Sequence, residues 1–387
     1  DNTAIIIGSD SSDEEYSFSN VRVIGCNFDS NSGDYGSAIY GYKYSTLDIE
    51  NSTFTNNDAE KGTIAIVTNI ALRTYLSNVI FESNSASYGA GLYCSENPDV
   101  VYFASESSVI FKHNLDYRGG SDNTCTTKYG TISILYVNPS APSNSDTCDY
   151  FSPCNSIAEA INSNTANVAD YINIIMEPGE YPTEGNTNIV FTKPTTLQNN
   201  NNTGAVYFDC NGGSIGFRSK YSLSISGLPS SNFSISNCDT AIQLEGETLT
   251  LLNVEIQNGD IAVSFSGQNL IFNSVIFDTM NTGLSVSNGN SISIESTSFS
   301  NCENDSIVID SESITNIYAY ELLLENTAGI RANLGANSNS CKLSYSDFTN
   351  IHTSHSVLLN NGNWTLEQVN LDSVNNGIEY NGIYENQ

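Results

Sequence analysis

Basic residues are scarce in this sequence. Twelve Lys and Arg stand against 43 Asp and Glu over 387 residues, for a formal net charge of −31. A surface of that sign repels nucleic acid, anionic membranes and polyanionic substrates, and leaves polycations or Ca²⁺ as the charged partners it accepts. Long apolar runs are missing as well, so no segment reads as a membrane span. The chain begins at Asp1 with no charged n-region and apolar stretch, which predicts a processed, secreted product. The nine Cys include no C-x-x-C pair and no Cys/His zinc spacing, and an odd count leaves at least one thiol free or intermolecular. Hydrophobic content is only 39%, yet it is rich in Val, Ile, Leu, Phe and Tyr, enough to fill a narrow core. The chain folds despite its acidity.

What is present is a repeat. In the first third an aromatic residue is followed three positions later by Asn, at Phe28 and Asn31, Phe54 and Asn57, Phe81 and Asn84, and Phe111 and Asn114, with a period of 26 to 30 residues. The first three copies lead to a Gly and a short apolar run, as in Gly36–Tyr40, Gly62–Ile66 and Gly89–Tyr93. One such unit is a coil of a solenoid, too small to bury its own apolar face. A coil inserts about four large apolar side chains worth roughly 1.5–3 kcal/mol each, while ordering its backbone costs about 1 kcal/mol or more per residue. Stacking is therefore obligatory. The Phe reads as the inward stacking position, the Asn as a turn residue whose amide ladders with the Asn of the next coil, and the Gly as a corner requiring positive φ or close approach.

After residue 230 a shorter period of 21 to 25 residues runs through Phe233, Ile256, Phe277, Phe299, Leu323, Phe348 and Leu371, the spacing of a three-sided parallel coil. Between the two arrays lies a different segment. Ile132–Val137 reads as a strand, Cys148 and Cys154 flank a loop, and Ser156–Ile161 has the apolar spacing of a short amphipathic helix. A helix near 154–163 would cover the open end of the second array. The expected organisation is all-β, with a first array over 1–125 and a second over 126–387 that carries its own cap at about 130–165.

The F-x-x-N and G-x-A-I-Y units of residues 20–125 resemble the repeats of chlamydial polymorphic outer membrane proteins and their protist relatives. The segment L-Y-V-N-P at 135–139, with C-x5-C at 148–154, S-I-A-E-A-I and E-P-G-E-Y, resembles the start of a pectin-lyase-like domain. Together the two resemblances span nearly the whole chain and imply a right-handed parallel β-helix. They leave function open, because that superfamily holds lyases, hydrolases, adhesins, tailspikes and structural proteins alike. The Gly-Gly-Ala-Ile form of the repeat is degenerate here, and residues 1–387 are not expected to include a transporter-like membrane barrel.

Catalytic groups are hard to find. Polygalacturonase-like members of the superfamily carry N-T-D, D-D, G-H-G and R-I-K signatures, none of which occurs. The histidines are His113, His352 and His355, and the last two sit in a Thr/Ser-rich turn and read as solvated loop residues. A lyase needs an Arg or Lys base and Ca²⁺ carboxylates, yet beyond residue 220 the basic residues are Arg331 and Lys342 alone. Asp29, Glu82, Asp278 and Asp372 each follow a stacking residue, but Thr55, Lys112, Ser300 and Thr349 interrupt the column, which is too loose for a glycosidase pair. Asp10, Asp13, Glu14 and Glu15 invite Ca²⁺ without the fixed spacing of a binding loop. The expected catalytic, cofactor and metal sets are empty.

Tyr35, Tyr40, Tyr42, Tyr44, Tyr88 and Tyr93 cluster in the first array and offer glycans a stacking face, though packing explains them equally well. Five sequons, at Asn51, Asn201, Asn232, Asn304 and Asn363, are candidate N-glycosylation sites of a surface protein. Cys148 and Cys154 are the candidate disulfide that pins the cap, with Cys94 to Cys125 and Cys210 to Cys238 among the pairings left open. The opening strand Asn2–Ile7 matches one that elsewhere follows a corner, which predicts a longer solenoid or end-to-end stacking of Tyr384–Gln387 on Asp1–Ile5 of the next molecule. The expectation is an extracellular structural or adhesive solenoid, with a filament as one form of it. The alternative is a carbohydrate-active enzyme or sugar-binding module.

Overall fold

The computed structural model describes residues 4–7, 19–41, 45–66, 73–94, 100–105, 108–142, 145, 147–200, 204–213, 215–228, 232–335, 340–352, 356–374 and 377–381. Contacts divide the chain into two compact units, Asp1–Ile132 and Ser133–Gln387. Both are built from short parallel strands stacked coil upon coil, about 13 turns in all, as the repeat predicts.

In the first unit each coil feeds four sheets. Ser45–Glu50, Thr53–Thr55, Asp58–Lys61 and Ile64–Ile66 form one coil, and Arg73–Ser77, Val79–Glu82, Ser85–Tyr88 and Leu92–Cys94 lie on it in register. Such register places each residue on its counterpart. The rings of Phe28, Phe54, Phe81 and Phe111 stack at 4.9, 5.0 and 5.1 Å, with planes within 15° of parallel. Each stacked pair adds about 0.5–1.5 kcal/mol to the burial of the rings.

The asparagines form a second column. Asn31, Asn57 and Asn84 each donate from Nδ2 to the Oδ1 of the Asn in the following coil, at 2.8, 2.9 and 3.0 Å, and their backbone N–H groups reach the same oxygens at 3.0 Å. The remaining Nδ2 hydrogens of Asn57, Asn84 and Asn114 go to the carbonyls of Phe28, Phe54 and Phe81. Asn57 and Asn84 are buried, so this closed accounting is what makes their burial tolerable. The left-handed turn falls one residue earlier than the Asn that the sequence singles out. Ser30, Asn56, Ser83 and His113 have φ of 58, 54, 57 and 52°, which leaves each laddered amide free to point inward. The next corner uses glycine: Gly36, Gly62 and Gly89 have φ of 59, 62 and 55°, and a Cβ on Gly89 would lie 2.3 Å from the Leu92 carbonyl oxygen.

Thr126–Tyr129 pairs with Val100–Phe103. It continues the first unit rather than opening the second, so the boundary expected at residue 125 falls instead after Ile132.

The strand Ile132–Val137 leads into the second unit, which carries a cap of two short helices, α1 (Ile157–Asn162) and α2 (Asn164–Val168), where one was expected. Ser163 divides them. Its extended backbone (φ −63°, ψ 156°) ends α1, and its hydroxyl accepts from Ala166 N to start α2. Ile157 and Ala160 of α1 are buried, and Lys193 Nζ donates to the Ala166, Asn167 and Ala169 carbonyls at the end of α2.

Nine coils follow with three strands each. One face is a 10-stranded sheet from Ile132–Val137 to Trp364–Glu367, and the other two join in a 16-stranded sheet where Val254–Ser266 and Ile276–Asn288 run through the corner unbroken. The buried column reads Ile235, Ile256, Phe277, Phe299, Leu324 and Phe348, closed by Leu371. Two expected members shift. Phe233 pairs with Val206 and Val254, a column two residues earlier on the same inner face. Leu323 points outward at 41% exposure, and its neighbour Leu324 takes the core position.

Candidate functional site

Several exterior acids are tied into the stack. Asp29 accepts from Thr55 Oγ1 at 2.7 Å and Asn56 Nδ2 at 2.9 Å, both in the next coil. Asp278 repeats the arrangement with Ser300 Oγ at 2.6 Å and Asn301 Nδ2 at 2.8 Å, and Asp209 takes Asn237 Nδ2 at 2.9 Å. These hydrogen bonds, led by Thr55, hold the Asp29 carboxyl below the usual carboxylate range. Burial alone would raise that of Asp278, but the bonds from Ser300, Asn301 and Thr279 outweigh it and the net shift is down. In register, Asp278 faces Gln257 and Ser300, and Asp372 faces Thr349, so no two of these acids adjoin. Glu82 lies beside Thr55 and Lys112.

Asp116 is a fourth tie, which sequence reasoning missed. Its carboxylate accepts from the Arg118 and Gly89 backbone N–H groups at 2.9 and 3.1 Å. Burial opposes ionisation, yet these backbone bonds bring its pKa down. Neither distance nor periodicity in the sequence marks it, because the fourth copy of the repeat has decayed there.

His113 occupies a left-handed corner, with Nδ1 4.0 Å from Glu82 Oε1, and His352 is exposed. His355 and the Asp10–Glu15 run lie outside the described residues. Among the described residues, no three His, Cys, Asp or Glu gather as a metal site would require, and no helix is long and apolar enough to cross a membrane.

Four tyrosines of the first unit fall in two registered columns, Tyr35 and Tyr88 either side of Lys61, and Tyr40 and Tyr93 either side of Ala65. Lys61 Nζ sits 4.4 Å from the centre of the Tyr35 ring and 2.8 Å from its hydroxyl, and Arg118 sits 4.3 Å over Tyr88. Tyr42 and Tyr44 lie outside the described residues. A second group, Tyr318, Tyr320 and Tyr345 in the second unit, carries no repeat signal and was missed in the sequence.

Of the sequons, Asn51 stands exposed at a left-handed corner, Asn304 and Asn363 are exposed, and Asn232 is half-buried with Nδ2 3.5 Å from Glu255. Asn201 lies outside the described residues, as do residues 1–3 and 382–387, on which the end-to-end expectation falls. Trp364 is the last residue of an inward column and donates from Nε1 to the Asn361 carbonyl. Disulfides join Cys148 to Cys154, Cys94 to Cys125 and Cys210 to Cys238, leaving Cys26, Cys302 and Cys341 as thiols. Three disulfides suit an oxidising compartment.

Stacked parallel coils, a laddered interior and a capped second unit define a parallel β-solenoid. No protein-family model matches the chain, and no curated protein matches it significantly.

Proposed function

We propose that the chain is a secreted β-solenoid of the pectin-lyase-like type with a structural or adhesive role at a cell surface or in an extracellular fibre. The observation that carries this reading is the use made of the exterior acids. Asp29, Asp209 and Asp278, which a hydrolase would need as acid or base, instead bind hydroxyl and amide donors of the neighbouring coil. A carboxylate held below its usual range by such bonds is a poor general acid near neutral pH. The three disulfides support an extracellular setting.

Incubation with neutral and acidic polysaccharides, followed by assay of reducing ends and of unsaturated uronate absorbance, tests the reading. The expected result is no release above a heat-treated control. Turnover that is lost on Asp278→Asn would establish the enzymatic alternative.

A further inference from the structure

The two exterior groups of tyrosines differ in how charge is placed around them. In the first unit the rings face the chain's own cations, Lys61 over Tyr35 and Tyr93 and Arg118 over Tyr88. In the second unit Tyr318 and Tyr320 are alternate residues of Asn316–Tyr320, their ring planes parallel within 2° and their centroids 6.3 Å apart. Tyr345 joins them from the next coil, 5.2 Å from Tyr320. Tyr318 and Tyr345 are 43% and 44% exposed. Around the rings stand Glu295, in register with Tyr320 and accepting from Asn273 Nδ2 at 3.1 Å, then Glu321, which accepts from Ser296 Oγ at 2.8 Å, and Glu367, with Lys342 bonded to Glu367 at 2.9 Å. Three carboxylates thus meet one ammonium.

Tyr345 is also in an unexpected conformation. Its φ is 52°, and it is the one Phe, Tyr or Trp among the described non-glycine residues with positive φ, a set in which Asn predominates. A bulky side chain is disfavoured there, and its equivalents in the preceding coils are Ser296 and Glu321. The fold does not require an aromatic residue at this corner.

We propose that Tyr318, Tyr320 and Tyr345 form a docking surface for a basic, arginine-containing segment of a partner protein. Guanidinium groups stack on tyrosine faces and take carboxylates at their edges, and both features are offered here side by side. Lys342 shows that the surface accommodates a cation between Tyr318 and Glu367. The formal charge of −31 draws a basic partner in and opposes docking of a second copy of the same chain. This deepens the adhesive half of the function proposed above and rests on it. The polysaccharide assay tests that function without involving this surface, so the two can fail separately.

The test is fluorescence anisotropy of labelled Arg-Gly, Lys-Gly and Glu-Gly repeat peptides with the full chain at low and physiological salt. The expected result is saturable binding, strongest for Arg-Gly and absent for Glu-Gly. Tyr318→Ser and Tyr345→Asn should each weaken it about tenfold. Tyr207→Ser, whose ring is 50% exposed on a different column, should leave it unchanged. Tyr345→Asn installs a residue suited to the left-handed corner, so its thermal midpoint should not fall and lost binding cannot be ascribed to unfolding. Absence of saturable binding would overturn the proposal. So would equal affinity in all three variants, which would mean diffuse charge attraction, or a concentration-dependent dimer dispersed by Tyr345→Asn, which would assign the surface to a second copy.

Discussion

The two units stack coils by different means. The first repeats identical residues, so that Phe lies on Phe and Asn on Asn through four coils, and the amides of Asn57 and Asn84 each have one geometrically defined partner above and below. The second fills its equivalent column with Ile235, Ile256, Phe277, Phe299, Leu324 and Phe348, held by shape and area rather than by a polar ladder. Polar groups near its inner corner pair singly from one coil to the next, as where Ser306 Oγ lies 2.7 Å from Thr327 Oγ1. A hydrogen-bonded ladder fixes register and concentrates stability in a few atoms. An apolar column tolerates exchange among residues of similar volume and spreads stability along the stack.

The sharpest way to break that contrast is Asn84→Ala. The substitution removes Oδ1, which accepts from both nitrogens of Asn57, and Nδ2, which donates to Asn114 and Phe54. Buried groups left unpaired cost about 1–3 kcal/mol each, so a loss of about 3–6 kcal/mol is expected. Hydrogen exchange should show it as lost protection across Thr53–Thr55 and Val79–Glu82 of the first unit. A loss under about 1 kcal/mol would mean that the ladder is incidental.

The next comparison is smaller. Phe81→Leu breaks two ring stacks and is expected to cost about 2–3 kcal/mol, whereas Phe299→Leu breaks one, that on Phe277 at 4.5 Å, in a column that already contains Leu324, and should cost about 1 kcal/mol less. Denaturant unfolding of both variants checks the ranking. Equal losses would erase the distinction between the units.

The same contrast accounts for what the sequence disclosed. Identical residues at fixed spacing stand out, so Phe28, Phe54, Phe81 and Phe111 could be aligned from letters alone, and the laddering of their asparagines followed. In the second unit Leu323 and Leu324 are both apolar and only one enters the core, so hydrophobicity could not choose between them. Phe233 and Ile235 are likewise both apolar and both inward, and Ile235 is the one in register with Phe277's column. The boundary slipped to 125 because Thr126–Tyr129 has no repeat letter, only a backbone partner in Val100–Phe103. The Tyr318 surface was illegible for a related reason. Its members come from a strand and from a corner of the next coil, and nothing in their spacing repeats.

Acid titration gives the smallest effect and applies to both units. Asp29 and Asp278 occupy equivalent places after a stacking Phe, and hydrogen bonds from the next coil leave both carboxyls below their ordinary value of 3.8. A carboxylate whose pKa is depressed in the folded state adds stability above its unfolded pKa, and that stability is lost as pH falls through the folded value. Thermal midpoints should therefore decline as pH drops below about 3.8. Asp278→Asn and Asp29→Asn should each make the decline shallower, and Asp278→Asn by more. Three hydroxyl or amide donors converge on each carboxylate, but Asp29 is fully exposed, so water screens its contribution, whereas Asp278 is partly shielded. Differences between each variant and the parent isolate these two groups from other carboxyls that titrate in the same range. If both variants lost stability as steeply as the parent, the inter-coil bonds of these acids would not be coupled to folding, and they would again be available to the enzymatic reading.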